Sequence, residues 1–361
     1  MAKVVKIKNK EFPILLDVNA AAVLDAFIEK KAYSKFFVLM DENTYSLCFP
    51  LLADESRNAN KAELLIIAAG EENKTIDIAN QLWQSLTEGE ADRHSLLINL
   101  GGGLISDLGG FVASTFKRGM DFVNIPTSLL AMVDASIGGK TGVNLDKYKN
   151  QIGLFSTPKL IAIDFRFLDT LPQRELVSAY AEMLKHGLIA DKAYWKALCS
   201  IEKLNSESLK IYIETSIRIK KAIVDQDPTE KGVRKILNFG HTIGHAIETF
   251  FMDTENPVLH GEAVAFGMLA EAYLSAEILN LPQAELKEIE TQIQTHFAKL
   301  NIAQNQLKAI AVLVNQDKKK NGNELNFSLL ENIEKCAIDV NVNTEQIVKS
   351  LNYSIHGSHN Q

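Results

Sequence analysis

The sequence predicts a parallel α/β domain over residues 1–170 followed by an all-α domain over residues 171–361. Up to residue 170, short apolar runs alternate with longer amphipathic stretches, the pattern of strands joined by helical crossovers. Beyond Pro172 strand signals nearly vanish while helical periodicity continues. A chain of 361 residues, 46% hydrophobic, is also long enough for two cores.

Taken in order, Val18 to Lys30 carries apolar residues at helical spacing. Lys35 to Met40, Glu63 to Ala68 and Ser95 to Leu100 read as buried strands, with an amphipathic helix at Thr75 to Leu86. Strands separated by helices of that length pair in parallel. Phe122 to Ile125 and Leu160 to Ile163 read as further strands. In the second domain, helices are expected at Arg174 to Ile189, Ser206 to Val224, Gly240 to Phe251, Glu262 to Leu279 and Glu285 to Leu300. The tail from Ser354 to Gln361 reads as a frayed end.

Composition excludes several classes of function. A net charge of -7, from 38 Lys+Arg against 45 Asp+Glu, argues against a general nucleic-acid binder. Cys48, Cys199 and Cys336 are odd in number and contain no CxxC pair, which fits buried thiols in a reducing cytoplasm. The first residues lack a signal-peptide core, and no apolar run approaches the ~20 residues needed to cross a bilayer. The expectation is a soluble, cytoplasmic protein.

Three stretches carry chemistry. After the strand ending at Leu100 come Gly101, Gly102 and Gly103, then a helix containing Asp107. Such a turn lets backbone N–H groups approach a pyrophosphate, with the helix terminus adding partial positive charge. The spacing is not GxGxxG, so a plain tight turn competes with a dinucleotide site. Asp41 to Asn43 and Gly70 to Lys74 each follow a predicted strand too, and polar turns at strand carboxyl ends converge in open parallel sheets. That makes the first domain Rossmann-like.

The second stretch is a lysine-bearing loop, IGGKTG at residues 137–142 followed by Lys147, Lys149 and Asn150. Its Gly139-Lys140-Thr141 ending suggests a P-loop, but the position five before Gly139 is Asp134, so the register fails. Lysines beside flexible glycines suit an anion; the competing reading is a solvated surface loop. In the third stretch, Glu182, Lys185 and His186 share roughly one helix face, and His241 and His245 are one turn apart. The i, i+4 pair resembles HExxH without its glutamate, since Thr242 stands there. Spacing alone makes His241 and His245 metal ligands with His260 a third; each histidine singly could instead be a hydrogen-bonded structural residue.

Together, GGGLISDLGGFVAS at 101–114, IPTSLLAMVDASIGGKTG at 125–142, AEMLKHG at 181–187 and NFGHTIGHAIE at 238–248 closely resemble 3-dehydroquinate synthases, in order from about Asp41 to Leu330. The resemblance implies a cytoplasmic, homodimeric, NAD- and metal-dependent lyase of the shikimate pathway. It converts the seven-carbon sugar acid phosphate DAHP to 3-dehydroquinate and phosphate. It also implies the site residues. The metal, Zn2+ or Co2+, falls to Glu182, His241 and His260, with His245 reassigned to substrate. NAD+ falls to Asp41, Asn43, Glu71, Lys74, Gly102, Gly103, Asp107, Thr127, Ser128, Lys140, Lys149 and the run Phe167, Leu168, Asp169, Thr170. The substrate's phosphate and carboxylate fall to Lys140, Asn150, Lys185, Lys220, Arg234, Asn238 and His245, with Asp134 and Glu230 at further site positions. Arg118 and Lys318 resemble phosphate-site residues, Arg118 by reaching across a dimer. Two rival readings share these parts: a sister sugar phosphate cyclase and a metal-dependent alcohol dehydrogenase.

Overall fold

A computed structural model of the chain describes residues 5–7, 12–146, 148–252, 254–318 and 325–357, with the side chains of 5–7, 148 and 315–318 left out. The chain forms two compact units, Met1–Pro172 with Leu209–Arg218, and Gln173–Ser208 with Ile219–Gln361.

The first unit is built on strands β1 (Val5–Ile7), β2 (Ile14–Leu16), β3 (Phe36–Asp41), β4 (Glu63–Ile67), β5 (Leu96–Gly101), β6 (Asp121–Pro126), β7 (Lys140–Leu145), β8 (Tyr148–Phe155) and β9 (Ile161–Ile163). Seven of them make one sheet in the order β1-β2-β9-β6-β5-β3-β4, parallel except for β1. All five strands expected from apolar runs are present in it. Every residue of β5 is buried, as a central strand covered on both faces must be. Helices α1 (Ala20–Ile28), α2 (Glu42–Leu47), α3 (Phe49–Glu55), α4 (Ile76–Glu88) and α5 (Gly103–Thr115) make the crossovers. Helix α5 lies so close to β5 that a Cβ on Gly109 would fall 2.0 Å from Asn99 Oδ1. Because β3 leads to β4 on one side while β5 lies on its other side, the strand order reverses between β3 and β5, and their carboxyl ends open a crevice there.

The lysine-bearing stretch is not a loop. β7 and β8 form an antiparallel hairpin, Lys140 opposite Phe155 and Val143 opposite Ile152. Gly139 and Lys140 therefore enter a strand rather than a helix, which removes the last likeness to a P-loop.

The second unit holds α6 (Gln173–Ala190), α7 (Lys192–Cys199), both ends of α8 (Ser206–Gln226), α9 (His241–Phe251), α10 (His260–Leu279), α11 (Gln283–His296), α12 (Leu307–Lys318) and α13 (Thr344–His356). Helix α10 is apolar nearly all round and sits at the centre, packed by α6, α9, α11 and α13. Among the described residues, the all-α expectation needs one addition, the hairpin of β10 (Asn326–Asn332) and β11 (Lys335–Asn341). Polar residues on β11, among them Lys335, Asp339 and Asn341, dilute its strand pattern. The expected frayed tail also shortens: α13 runs to His356 with Ser354 and Ile355 buried, and residues 358–361 lie outside the described part. Cys48 is buried, whereas Cys199 and Cys336 are only half-buried; all three are free thiols.

Candidate active site

In the first unit, most of the residues singled out for a nucleotide gather at the carboxyl ends of the sheet's strands. Asp41 ends β3 and caps α2, its carboxylate accepting from Thr44 N at 2.8 Å; Asn43 follows inside that helix. Glu71 and Lys74 follow β4, Gly102 and Gly103 follow β5, Thr127 and Ser128 follow β6, and Phe167 to Thr170 follow β9. Helix α5 starts from Gly102 with no side chain capping it, so its N-terminal amides face these strand ends. The glycines keep the approach narrow: a Cβ on Gly102 would come within 3.2 Å of Ser128 Oγ, and one on Gly103 within 3.3 Å of the Ala135 Cβ, next to Asp134.

Charge at these strand ends is organised around Lys74. Its side chain is buried and its ammonium lies 2.8 Å from Glu71 and 3.2 Å from Asp107. Burial opposes the charge, yet the carboxylates of Asp107 and Glu71 prevail and raise the lysine above its usual range. The hairpin is tied to the same turn. Asn144 N donates to Lys74 O at 2.7 Å, and Asn144 Nδ2 donates to Glu71 at 3.1 Å. Asn144 Oδ1 in turn accepts from the amide of Asn150, which holds a φ of 52°. Cys48 Sγ, 3.4 Å from Thr170 Oγ1, also meets Thr127 and so links two of the strand-end turns.

Not every expected residue converges. Lys140 opens β7 while Lys149 and Asn150 sit near the hairpin turn, about 13 Å apart at ~3.3 Å per residue. Arg118 is exposed at the carboxyl end of α5, a 13-residue helix, hence roughly 20 Å from the glycine turn at its start. Lys117, Arg118 and Gly119 all have positive φ, and Arg118 is turned outward there.

In the second unit, α6 carries Glu182, fully buried, beside Lys185, 2% exposed, to which it is ion-paired. His241 opens α9 and His260 opens α10; their Nε2 atoms lie 3.2 and 3.5 Å from Glu182 Oε1. His245 completes the group, with ring nitrogens of His241, His245 and His260 within 4.8 Å of one another. Spacing favoured His241 and His245 as a pair; the fold brings all four groups to one point.

Neither Glu182 oxygen has a well-directed hydrogen bond. A buried carboxylate needs positive charge around it, and the Lys185 ammonium supplies one such charge. Burial works against its ionisation, but the Lys185 and His241 charges hold it well below the usual carboxylate range. His241 is lowered by burial and by Lys185. His260, despite burial, is pushed up to about 9 because Glu182 and Glu248 both face it. A buried carboxylate approached by imidazoles from two other helices fits a divalent metal that keeps open positions.

Nearby contacts hold these side chains in place. Glu248 Oε2 lies 3.3 Å from His260 Nδ1, a contact absent from the expected site. Its signal was legible, since Glu248 ends the same motif one turn after His245, within reach of a candidate ligand histidine. Arg174 clamps the start of α10 through Glu262, both contacts at 2.7 Å, and Ser178 Oγ accepts from Gly261 N at 3.0 Å. The turn before α9 carries the anion-binding candidates. Arg234, 3% exposed, donates to Pro228 O at 2.7 Å; Asn238 donates to Glu230 at 2.8 Å, and Glu230 holds a φ of 58°. Lys220 is buried on α8, and Lys318 closes α12 with its side chain outside the described residues.

Two family profiles cover this chain in succession, "3-dehydroquinate synthase N-terminal" over residues 64–178 and "3-dehydroquinate synthase C-terminal" over 179–320. The chain belongs to the 3-dehydroquinate synthase family. A 3-dehydroquinate synthase from Parabacteroides distasonis is 42% identical over 345 residues, covering 95% of this chain and 98% of the relative. Among solved structures, a 2-deoxy-scyllo-inosose synthase complexed with carbaglucose-6-phosphate, NAD+ and Co2+ superposes with a TM-score of 0.82 at 22% identity, covering 97% of this chain and 99% of that one. The 2-epi-5-epi-valiolone synthase ValA from Streptomyces hygroscopicus, with NAD+ and Zn2+, gives 0.81 at 22% identity, covering 98% and 99%. At that identity the structural likeness speaks for the fold shared by 3-dehydroquinate synthases and these cyclases. Among the described residues no helix is long and apolar enough to cross a membrane.

Proposed function

We propose that the chain is a 3-dehydroquinate synthase, a phosphate-eliminating lyase that closes DAHP into 3-dehydroquinate. The sequence of events is transient oxidation of a secondary alcohol, loss of the β-phosphate, reduction, and intramolecular aldol closure. The observation that carries it is the buried, hydrogen-bond-poor Glu182 between Lys185, His241 and His260, in a chain that matches the family along its length.

Glu182, His241 and His260 would hold a divalent zinc or cobalt ion, which supplies Lewis-acid polarisation of a substrate oxygen. Asp41, Glu71, Lys74, Gly102, Gly103, Asp107, Thr127 and Ser128 would hold NAD+, which would supply a hydride acceptor. The chain's own groups bind and orient. Lys74 sets the charge of the strand-end turn, and the α5 amides suit a pyrophosphate. Arg234 and Lys220 are buried cations suited to the substrate's anionic groups, and Glu230 fixes the rotamer of Asn238. His245, beside the ligand histidines but not needed to complete a carboxylate–imidazole set, is placed to touch substrate or move a proton. Lys140, Asn150 and Asp134 complete the substrate assignments, and Arg118 acts from a partner subunit of a homodimer.

Incubation with DAHP, NAD+ and Zn2+ should release phosphate and 3-dehydroquinate in equal amounts, with no NADH at steady state. Turnover of glucose 6-phosphate or sedoheptulose 7-phosphate in place of DAHP would move the chain to a sister cyclase; steady accumulation of NADH would make it a dehydrogenase.

A further inference from the structure

Glu271 lies within an otherwise apolar stretch of α10 and is fully buried. Its Oε2 accepts from Gly240 N at 2.6 Å and its Oε1 from Ile243 N at 3.1 Å. These are amides at the start of α9, the helix that begins with His241 and carries His245 one turn later. The capping position of α9 is Gly240, in the left-handed region at φ 80°, with no side chain of its own. A helix normally meets that need locally, with Ser, Thr, Asp or Asn. Here the cap is supplied by the helix that begins with His260.

That exchange has a geometric result. Gly240 abuts Met268, Gly244 abuts Val264, and Glu248 meets His260, so α9 and α10 run antiparallel. A Cβ on Gly267 would fall 2.1 Å from Gly240 O, and Glu271 is one turn further along the same face. Glycine thus admits the backbone, while the carboxylate, favoured at a helix N-terminus, pins it. Packing of small residues alone resists approach but tolerates sliding. A slide by one residue is about 1.5 Å, enough to spoil a metal site whose ligand distances are fixed within roughly 0.2 Å.

We propose that Glu271 is a positioning residue for the metal centre, fixing the register of α9 against α10 and so the placement of His241 and His245 relative to His260. This rests on the reading that His241 and His260 bind metal. The test uses the full chain freed of metal by chelation and titrated with Co2+ alone, followed by calorimetry and by visible absorption of the bound ion. Glu271→Gln keeps the shape but loses the charge and presents an amide donor to backbone N–H. It should bind Co2+ at least ~10-fold more weakly, with a changed visible spectrum. Glu290→Gln, at another buried carboxylate of the same unit, should match the unaltered chain in both. If Glu271→Gln does not fold, Glu271→Asp carries the test with the same expectation. Unaltered affinity and spectrum in the Glu271 variant overturn the inference, as does equal weakening in Glu290→Gln. Failure of the unaltered chain to bind Co2+, or wild-type binding by His241→Ala, overturns the metal reading and the inference with it.

Discussion

At the scale of single residues, the two units place charge inside the protein by different means. Lys74 is held by two carboxylates and keeps a raised pKa; Glu182 is held by cations and imidazoles and keeps a lowered one. A group raised in the folded state adds stability fully below its unfolded pKa, about 10.4 for lysine, and loses it as pH rises through the folded value. Lys74→Met should therefore be less stable than the unaltered chain at neutral pH, and the gap should close above about pH 10.4. Thermal unfolding of both proteins across that range checks it. A gap that widens there would show that the ion pairs with Glu71 and Asp107 do not supply the stability. For Glu248→Gln, which weakens the contact orienting His260, zinc affinity should fall about 10- to 100-fold with the fold intact. Calorimetric titration reads this directly, and an unchanged affinity would remove Glu248 from the support of the site.

At the scale of elements, the proposed metal ligands stand on the first residues of α9 and α10 and in the middle of α6, so helix packing sets their geometry. The tightest point is Gly261, where a Cβ would lie 1.8 Å from Ser178 O. Gly261→Ala must push the start of α10 off α6, at a cost of about 1–3 kcal/mol for an overpacked core. We expect a lower melting temperature together with lower zinc content after purification. Full zinc content at a lowered melting temperature would mean that the start of α10 moves without carrying His260 away. The β7–β8 hairpin shows the converse case, an element whose sequence reads as a loop. Its glycines and lysines hide the strand pattern, and its structure comes from pairing with itself and from Asn144 reaching Lys74 and Glu71.

At the scale of the whole molecule, the position of Arg118 is informative. It lies at the wrong end of α5 to serve the strand-end turns of its own unit, which supports the proposal that it works in a partner's site. Arg118→Ala and Lys140→Ala should each be nearly inactive alone. Mixed after reversible dissociation, they should recover about a quarter of the activity, because half of the dimers are hybrid and each hybrid has one intact site. No recovery, with hybrid dimers verified by mass, would return Arg118 to its own chain.

Much of this was determined by the sequence alone. The five parallel strands, the helices bearing Glu182, His241 and His260, and the glycine turn follow from periodicities and turn residues that act over a few positions. What was not legible depends on contacts between distant segments. Spacing offered His241 and His245 with His260 as a third, and those three do converge, but spacing gave no sign of the carboxylate some sixty residues earlier that α6 brings against His241 and His260. Glu271 reads in the sequence as a stray acid in an apolar helix, and only the packing of α9 on α10 reveals the two amides it meets. Local pattern decides which element forms; the burial of a charge far from its partners in sequence is decided when the helices close around it, because the cost of leaving it unpaired exists only in the folded interior.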